Sequence, residues 1–201
     1  MKKALKISGI SLASILILLI ILPFLFQGKL VEIAKKEANK MLNAKVDFNN
    51  LSLSFIRNFP NASITVDDFS IVGINEFKND TLASFDRLKV IVNVKSLFGD
   101  QIEITKIRVS HPRVLAKVLP DGKVNWDIMK PTEEVEKEDT TATSFKLQLK
   151  KLTIEEGYIV YDDQEGKMKA VVDNLNFSLS GDMTQDETKL QTLTNIEKLT
   201  F

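Results

Sequence analysis

One recurring spacing constrains this chain more than any single residue. Two alternating apolar pairs, separated by two polar residues, appear as VDFNNLSLSF at 46–55, ITVDDFSIVG at 64–73, IEITKIRV at 102–109 and FKLQLKKLTI at 145–154; VVDNLNFSLSG at 171–181 is similar. Alternation with period two marks a strand with one buried face. In a regular strand, positions three apart face opposite sides. A bulge or bend at each polar pair would return both halves to one face, and repetition would build a long, bent sheet. An ordinary strand–turn–strand meander in a sandwich fits the same spacing.

Between these units Leu88, Val90, Val92 and Val94 mostly alternate with polar neighbours, as do Val114, Ala116 and Val118, then Val124, Trp126 and Ile128. Turn residues punctuate the runs at Asn58 to Asn61, at Gly73, at Gly99-Asp100 and at Pro120-Asp121-Gly122. The expected fold class is mainly β: an antiparallel, bent or curled sheet, either an open groove or sandwich-like. No long helix pattern follows residue 43 to cover such a sheet.

Ile7 to Phe26 is a run of twenty residues without a charge, preceded by Lys2, Lys3 and Lys6. A helix of that length spans about 30 Å, the thickness of a bilayer's hydrocarbon core. A cleaved signal peptide and a buried soluble helix are the competing readings, but no small-residue cleavage site closes the run, and twenty uncharged residues exceed what a soluble core usually needs. The run therefore reads as a retained single-pass anchor. Lysines on the two flanks nearly balance, and the short N-terminal tip favours a cytoplasmic N-terminus with the bulk translocated.

The expected organisation is a cytoplasmic tip and anchor at 1–28, an amphipathic helix at 29–44, a β-rich part at 45–130, an acidic linker at 131–144, and further β units at 145–201, expected to continue past the chain end. In the helix, Leu30, Ile33, Ala34, Ala38, Met41 and Leu42 recur at helical spacing. It either lies on headgroups or plugs one end of the sheet. The linker PTEEVEKEDTTATS has almost nothing to bury and is expected to be flexible and removable, provided its two ends lie close together.

Composition narrows the function. Lys plus Arg equals Asp plus Glu at 27 each, so no global basic field points to nucleic acid. One histidine and no cysteine leave the common soft-ligand metal sites unbuildable. His111, in Ser110-His111-Pro112, reads as an exposed loop histidine. The pairs Asp67-Asp68, Glu155-Glu156 and Asp162-Asp163 read as solvated strand-edge acids rather than acid/base machinery. No catalytic residue, cofactor or metal is expected.

The stretch LPFLFQGKLVEIAKKEANKMLNAKVDFNNLSLSFIRNFPNASITVDDFSIVG resembles the start of AsmA-family envelope proteins in the form seen in Bacteroidetes. SLFGDQIEITKIRVSHPRVLAKVLPDGKVNWDI is similar to the family's next segment, ending in an asparagine–tryptophan turn at Asn125-Trp126, and VVDNLNFSLSG resembles its repeated strand unit. The resemblance implies an inner-membrane protein with a periplasmic β-rich body, linked to outer-membrane assembly and similar to bridge-like lipid-transfer proteins.

Phospholipids are thus the first expected partner. The groove lining expected from alternation is Val90, Val92, Val94, Ile102, Ile104, Val114, Ala116, Val118, Trp126 and Phe177. A closed core would use the same residues. The alternative function is a non-enzymatic scaffold or assembly factor that binds envelope proteins through sheet edges and affects protein targeting to the outer membrane.

Overall fold

The computed structural model describes residues 28–55, 57–98, 103–130, 148–181 and 189–201. The expected anchor and linker fall outside them, as does Ile102. Among the described residues no helix is long and apolar enough to cross a membrane.

Helix α1 occupies 28–41. Leu30, Ala34, Ala38 and Leu42 form its half-buried stripe, as the spacing predicts, but Ile33 and Met41 are exposed. The helix docks through Asn39. Its Nδ2 donates to the Val46 carbonyl and its Oδ1 accepts from the Val46 N–H, both at 2.9 Å. One side chain thereby imitates a neighbouring strand and covers an edge that would otherwise be free. Lys35 adds a pair with Asp47 at 2.6 Å and lies 5.3 Å from the Phe48 ring centroid. That lysine, helped by the Phe48 N–H, holds the Asp47 carboxyl below its ordinary value.

Among the described residues the strands are β1 (Ala44–Asp47), β2 (Asn50–Ser54), β3 (Asn61–Gly73), β4 (Thr81–Asn93), β5 (Glu103–Ser110), β6 (Arg113–Val118), β7 (Gln148–Asp163), β8 (Met168–Ser180) and β9 (Gln191–Thr200). All nine belong to one sheet. β1 and β2 are halves of one interrupted ribbon, since both pair antiparallel with β3. β5 and β6 are halves of another: both pair antiparallel with β4 and parallel with β7. Ribbon order across the sheet is therefore the order of the chain.

Two parallel pairings correct the expectation of an antiparallel sheet. Their consequence is topological. β7 starts at Gln148 beside Glu103, and ends at Asp163 beside Val118. The chain leaving β6 must return along the whole of β7, sixteen residues long, or about 50 Å at roughly 3.3 Å per residue. Parallel neighbours always demand such a crossover.

The return begins with the Pro120-Asp121-Gly122 turn. Gly122 takes φ +80°, its N–H bonds the Leu119 carbonyl, and Val124 bridges back to Val118. The expected strand through Trp126 and Ile128 does not continue beyond that single bridge. Instead the chain crosses the end of the sheet, where Asn43 bonds Ile128 and Lys130 bonds Met41.

Bends occur at polar pairs, with a consistent backbone signature. Asp68, Glu156 and Asn174 have φ of 53°, 54° and 52°, and His111, between β5 and β6, has 50°. Asp, Asn and His tolerate this left-handed conformation better than most residues. On β7, Glu155 and Glu156 fit between Ile154 and Gly157 where β8 has only Asn176. On β8, Asp173 and Asn174 fit where β7 has only Tyr158. Each bulge lets residues three apart return to one face. The 46–55 unit solves the same problem by breaking at Phe48-Asn49.

Candidate functional site

Paired residues on neighbouring strands point to the same face, so the register reads out both faces of the sheet. One row runs Leu51, Val66, Leu88, Val109, Ile154, Phe177 from β2 to β8. The next runs Leu53, Ile64, Val90, Ile107, Leu152, Leu179. A third joins Ala62, Val92, Ile104 and Leu149. Beyond the bends, Val46, Ile71, Ala83, Val114, Ile159, Val172 and Leu199 form a row from β1 to β9. Every member of these rows is apolar.

The opposite face reads Thr65, Lys89, Arg108, Thr153, Ser178 in one row and Asp67, Arg87, Ser110, Glu155 in another. The sheet therefore has one greasy side and one wet side across most of its strands. On the apolar side the Phe69 ring stacks on Phe85 at 4.6 Å between centroids and on Phe48 at 6.5 Å.

Most of the apolar face is only half-buried, and no side chain among the described residues is less than 2 % exposed. Val92 and Val118 are the best covered of the expected lining, at 6 % and 8 %. Val90, Ile104 and Phe177 share that face with Val92; Val114, Ala116 and Val118 occupy it beyond the bends. Val94 is misplaced by the alternation, since β4 stops at Asn93 and Val94 opens a 3-10 turn, Val94–Phe98.

Trp126 reaches the face from a turn rather than a strand. Its ring lies 6.5 Å from that of Tyr161, which pairs with Ala116 and Ala170. Tyr161 Oη contacts Asp163 at 3.4 Å; burial and that carboxylate push the phenol's pKa up. Beside Trp126, the Asn125 side chain fills a gap in the sheet where β4 no longer pairs with β6. Its Nδ2 donates to the Leu115 carbonyl at 2.6 Å, and its Oδ1 accepts from the Lys117 N–H at 2.8 Å. Its own N–H donates to the Lys117 carbonyl at 3.1 Å. Nothing in the local sequence signals those bonds, apart from the asparagine–tryptophan pair itself.

The polar face holds the second feature missed by the sequence reading. His111 is exposed, but not idle: Nδ1 lies 2.9 Å from Asp86 and Nε2 3.1 Å from Glu156, so one ring links β4 to β7 across the β5–β6 interruption. Glu155 receives Arg108 at 3.0 Å and the Ser110 hydroxyl at 3.1 Å. Asp67 pairs with Arg87 at 2.6 Å, raising the guanidinium's pKa. The paired acids thus knit the bends together on the solvent side. Among the described residues, no three His, Asp or Glu side chains are grouped to hold a metal ion.

A single large sheet, apolar on one side and bent at polar pairs, defines an amphipathic β-sheet protein. The AsmA family model matches residues 1–192, and the chain belongs to that family. This is a family of envelope proteins implicated in outer-membrane biogenesis and lipid transport. None of the curated proteins matches the chain.

Proposed function

We propose that this chain is a membrane-anchored, non-enzymatic envelope protein that holds or guides phospholipid acyl chains on the apolar face of its sheet. The anchor is the uncharged run at 7–26, with the N-terminus cytoplasmic and the bulk periplasmic. The observation that carries the reading is the pair of unbroken apolar rows from β2 to β8, left half-exposed by everything else described. A soluble surface rarely tolerates so continuous a patch without a partner. Acyl chains match it in kind, since the contact is apolar and unspecific, at about 0.8 kcal/mol per buried CH2. Family membership supports a lipid rather than another apolar partner.

The test uses the full chain purified in detergent, with bound phospholipid measured by mass spectrometry. Val90→Thr and Ala116→Ser, made singly, add a hydroxyl to half-buried positions of the face. On an open face they reduce bound phospholipid at least twofold and leave stability within about 1 kcal/mol. In a sealed core each unpaired hydroxyl costs about 1–3 kcal/mol instead. Destabilised variants without recoverable lipid would overturn the reading.

A second reading rests on β9. All ten of its residues are exposed, and β8 is its one strand partner among the described residues. An extended segment of an envelope protein could pair with its free edge by strand addition. Saturating phospholipid blocks partner capture if the face is used, and leaves it unchanged if the edge is.

A further inference from the structure

The chain has one tryptophan, and the fold fixes its neighbour firmly. Asn125 is 3 % exposed and its three hydrogen bonds tie the turn to β6. Trp126, next in sequence, remains 43 % exposed. A buried polar side chain held by two hydrogen bonds thus supports a large ring that burial leaves incomplete. Tyr161 meets that ring near the end of β7, two residues before Asp163. Further down the same face, the rows described from β2 to β8 are apolar. This is the boundary at which tryptophan and tyrosine are favoured, with an apolar ring body and a polar tip near water.

We infer that Trp126 and Tyr161 form the headgroup-level rim of the lipid face, with Asn125 as the positioning residue that holds the tryptophan there. This rests on the acyl-chain reading of the face. The ring pair meets the ester region of a bound phospholipid, and the acyl chains run from it over Ala116, Val114 and Ile159 toward the rows beyond the bends. The inference assigns a direction to the bound lipid, which the apolar rows alone do not.

All tryptophan emission from the full chain comes from residue 126, so the test is direct. The protein in detergent is loaded with phosphatidylcholine brominated either near the ester end of the acyl chain or near its methyl end. Ester-end bromine quenches Trp126 at least twofold more than methyl-end bromine. Asn125→Ala removes that depth preference while bound phospholipid stays within twofold. Because this variant strands two backbone groups, the Leu115 carbonyl and the Lys117 N–H, and can fail to fold, Tyr161→Leu is the second variant; it loses the same preference and leaves Asn125 bonded. Equal quenching from both depths, stronger methyl-end quenching, or no quenching while phospholipid is recovered would sink the rim and leave the face standing. If no phospholipid binds at all, the face itself fails and the rim with it.

Discussion

His111 and Glu156 stand side by side at the bend, both with left-handed backbones, φ 50° and 54°, and their side chains meet at 3.1 Å. Neighbouring ribbons thus bend at the same level, and the polar side chain at each bend bonds its counterpart across the sheet. Asn49 to Asp68 at 2.9 Å and Asn174 to Glu197 at 2.6 Å repeat the device on either side.

The bend is a backbone requirement first, which Glu156 can show. Glu156→Gly and Glu156→Val both remove the carboxylate beside His111, so their difference isolates the main chain. Glycine adopts positive φ without strain, whereas a β-branched residue there is strained by about 1–3 kcal/mol. The valine variant is expected to be less stable by that amount in urea unfolding. Equal stabilities would show that the side-chain pair, not the backbone, sets the bend.

Helix docking concentrates in one residue. Asn39→Ala leaves the Val46 N–H and carbonyl without partners and is expected to cost about 1–3 kcal/mol. Asp47→Asn removes only an exposed ion pair with Lys35 and is expected to cost less than about 1 kcal/mol. The lowered pKa of Asp47 puts its small contribution above the ordinary aspartate range, and it fades as pH falls through the folded value. An Asp47 effect larger than the Asn39 effect would mean that charge, not edge covering, seats the helix.

The connection between β6 and β7 has a minimum length. Residues 131–147 number seventeen and can reach roughly 60 Å when extended. Lys130 lies at the β6 end of the sheet, and Gln148 pairs with Glu103 at the other, about 50 Å away along β7. The condition for a harmless deletion of 131–144 therefore fails, because the two ends are not close. That deletion is expected to abolish parallel pairing of β7, read as lost amide protection in β7 to β9 by hydrogen exchange, with β3 and β4 less affected. Full protection after deletion would contradict the topology.

The apolar/polar spacing marked the repeating units, because a two-residue polar gap is visible in one dimension, but left a bend or a turn open at Asp68 and Asn174, where the backbone bends. It revealed no parallel pairing. Alternation within β5 and β7 is the same whichever way a neighbour runs, and only the long intervening segment hints at a crossover. Val94 was misread because alternation continues one step past the end of β4. Ile33 and Met41 were misread because helical spacing does not tell which apolar residues touch a one-sided partner. The alternation placed Val90, Val92, Ile104, Val114, Ala116, Val118 and Phe177 on one face of the sheet, as the register has them. The roles of Asn125 and Asn39 depend on where their backbone partners fall in space, and no pattern of residue types encodes that.

If the proposed function holds, lipid meets only the apolar side of the sheet. A photo-crosslinking residue placed at Val90 or Ile154 on the apolar rows, and separately at Lys89 or Thr153 on the polar rows, tests it in living cells, with adducts identified by mass spectrometry. Adjacent positions on one strand differ only in the face they present, so local fold and expression are matched. Phospholipid adducts are expected at Val90 and Ile154, and none above background at Lys89 and Thr153. Adducts of equal yield on both faces, or none on the apolar rows, would contradict the proposed function.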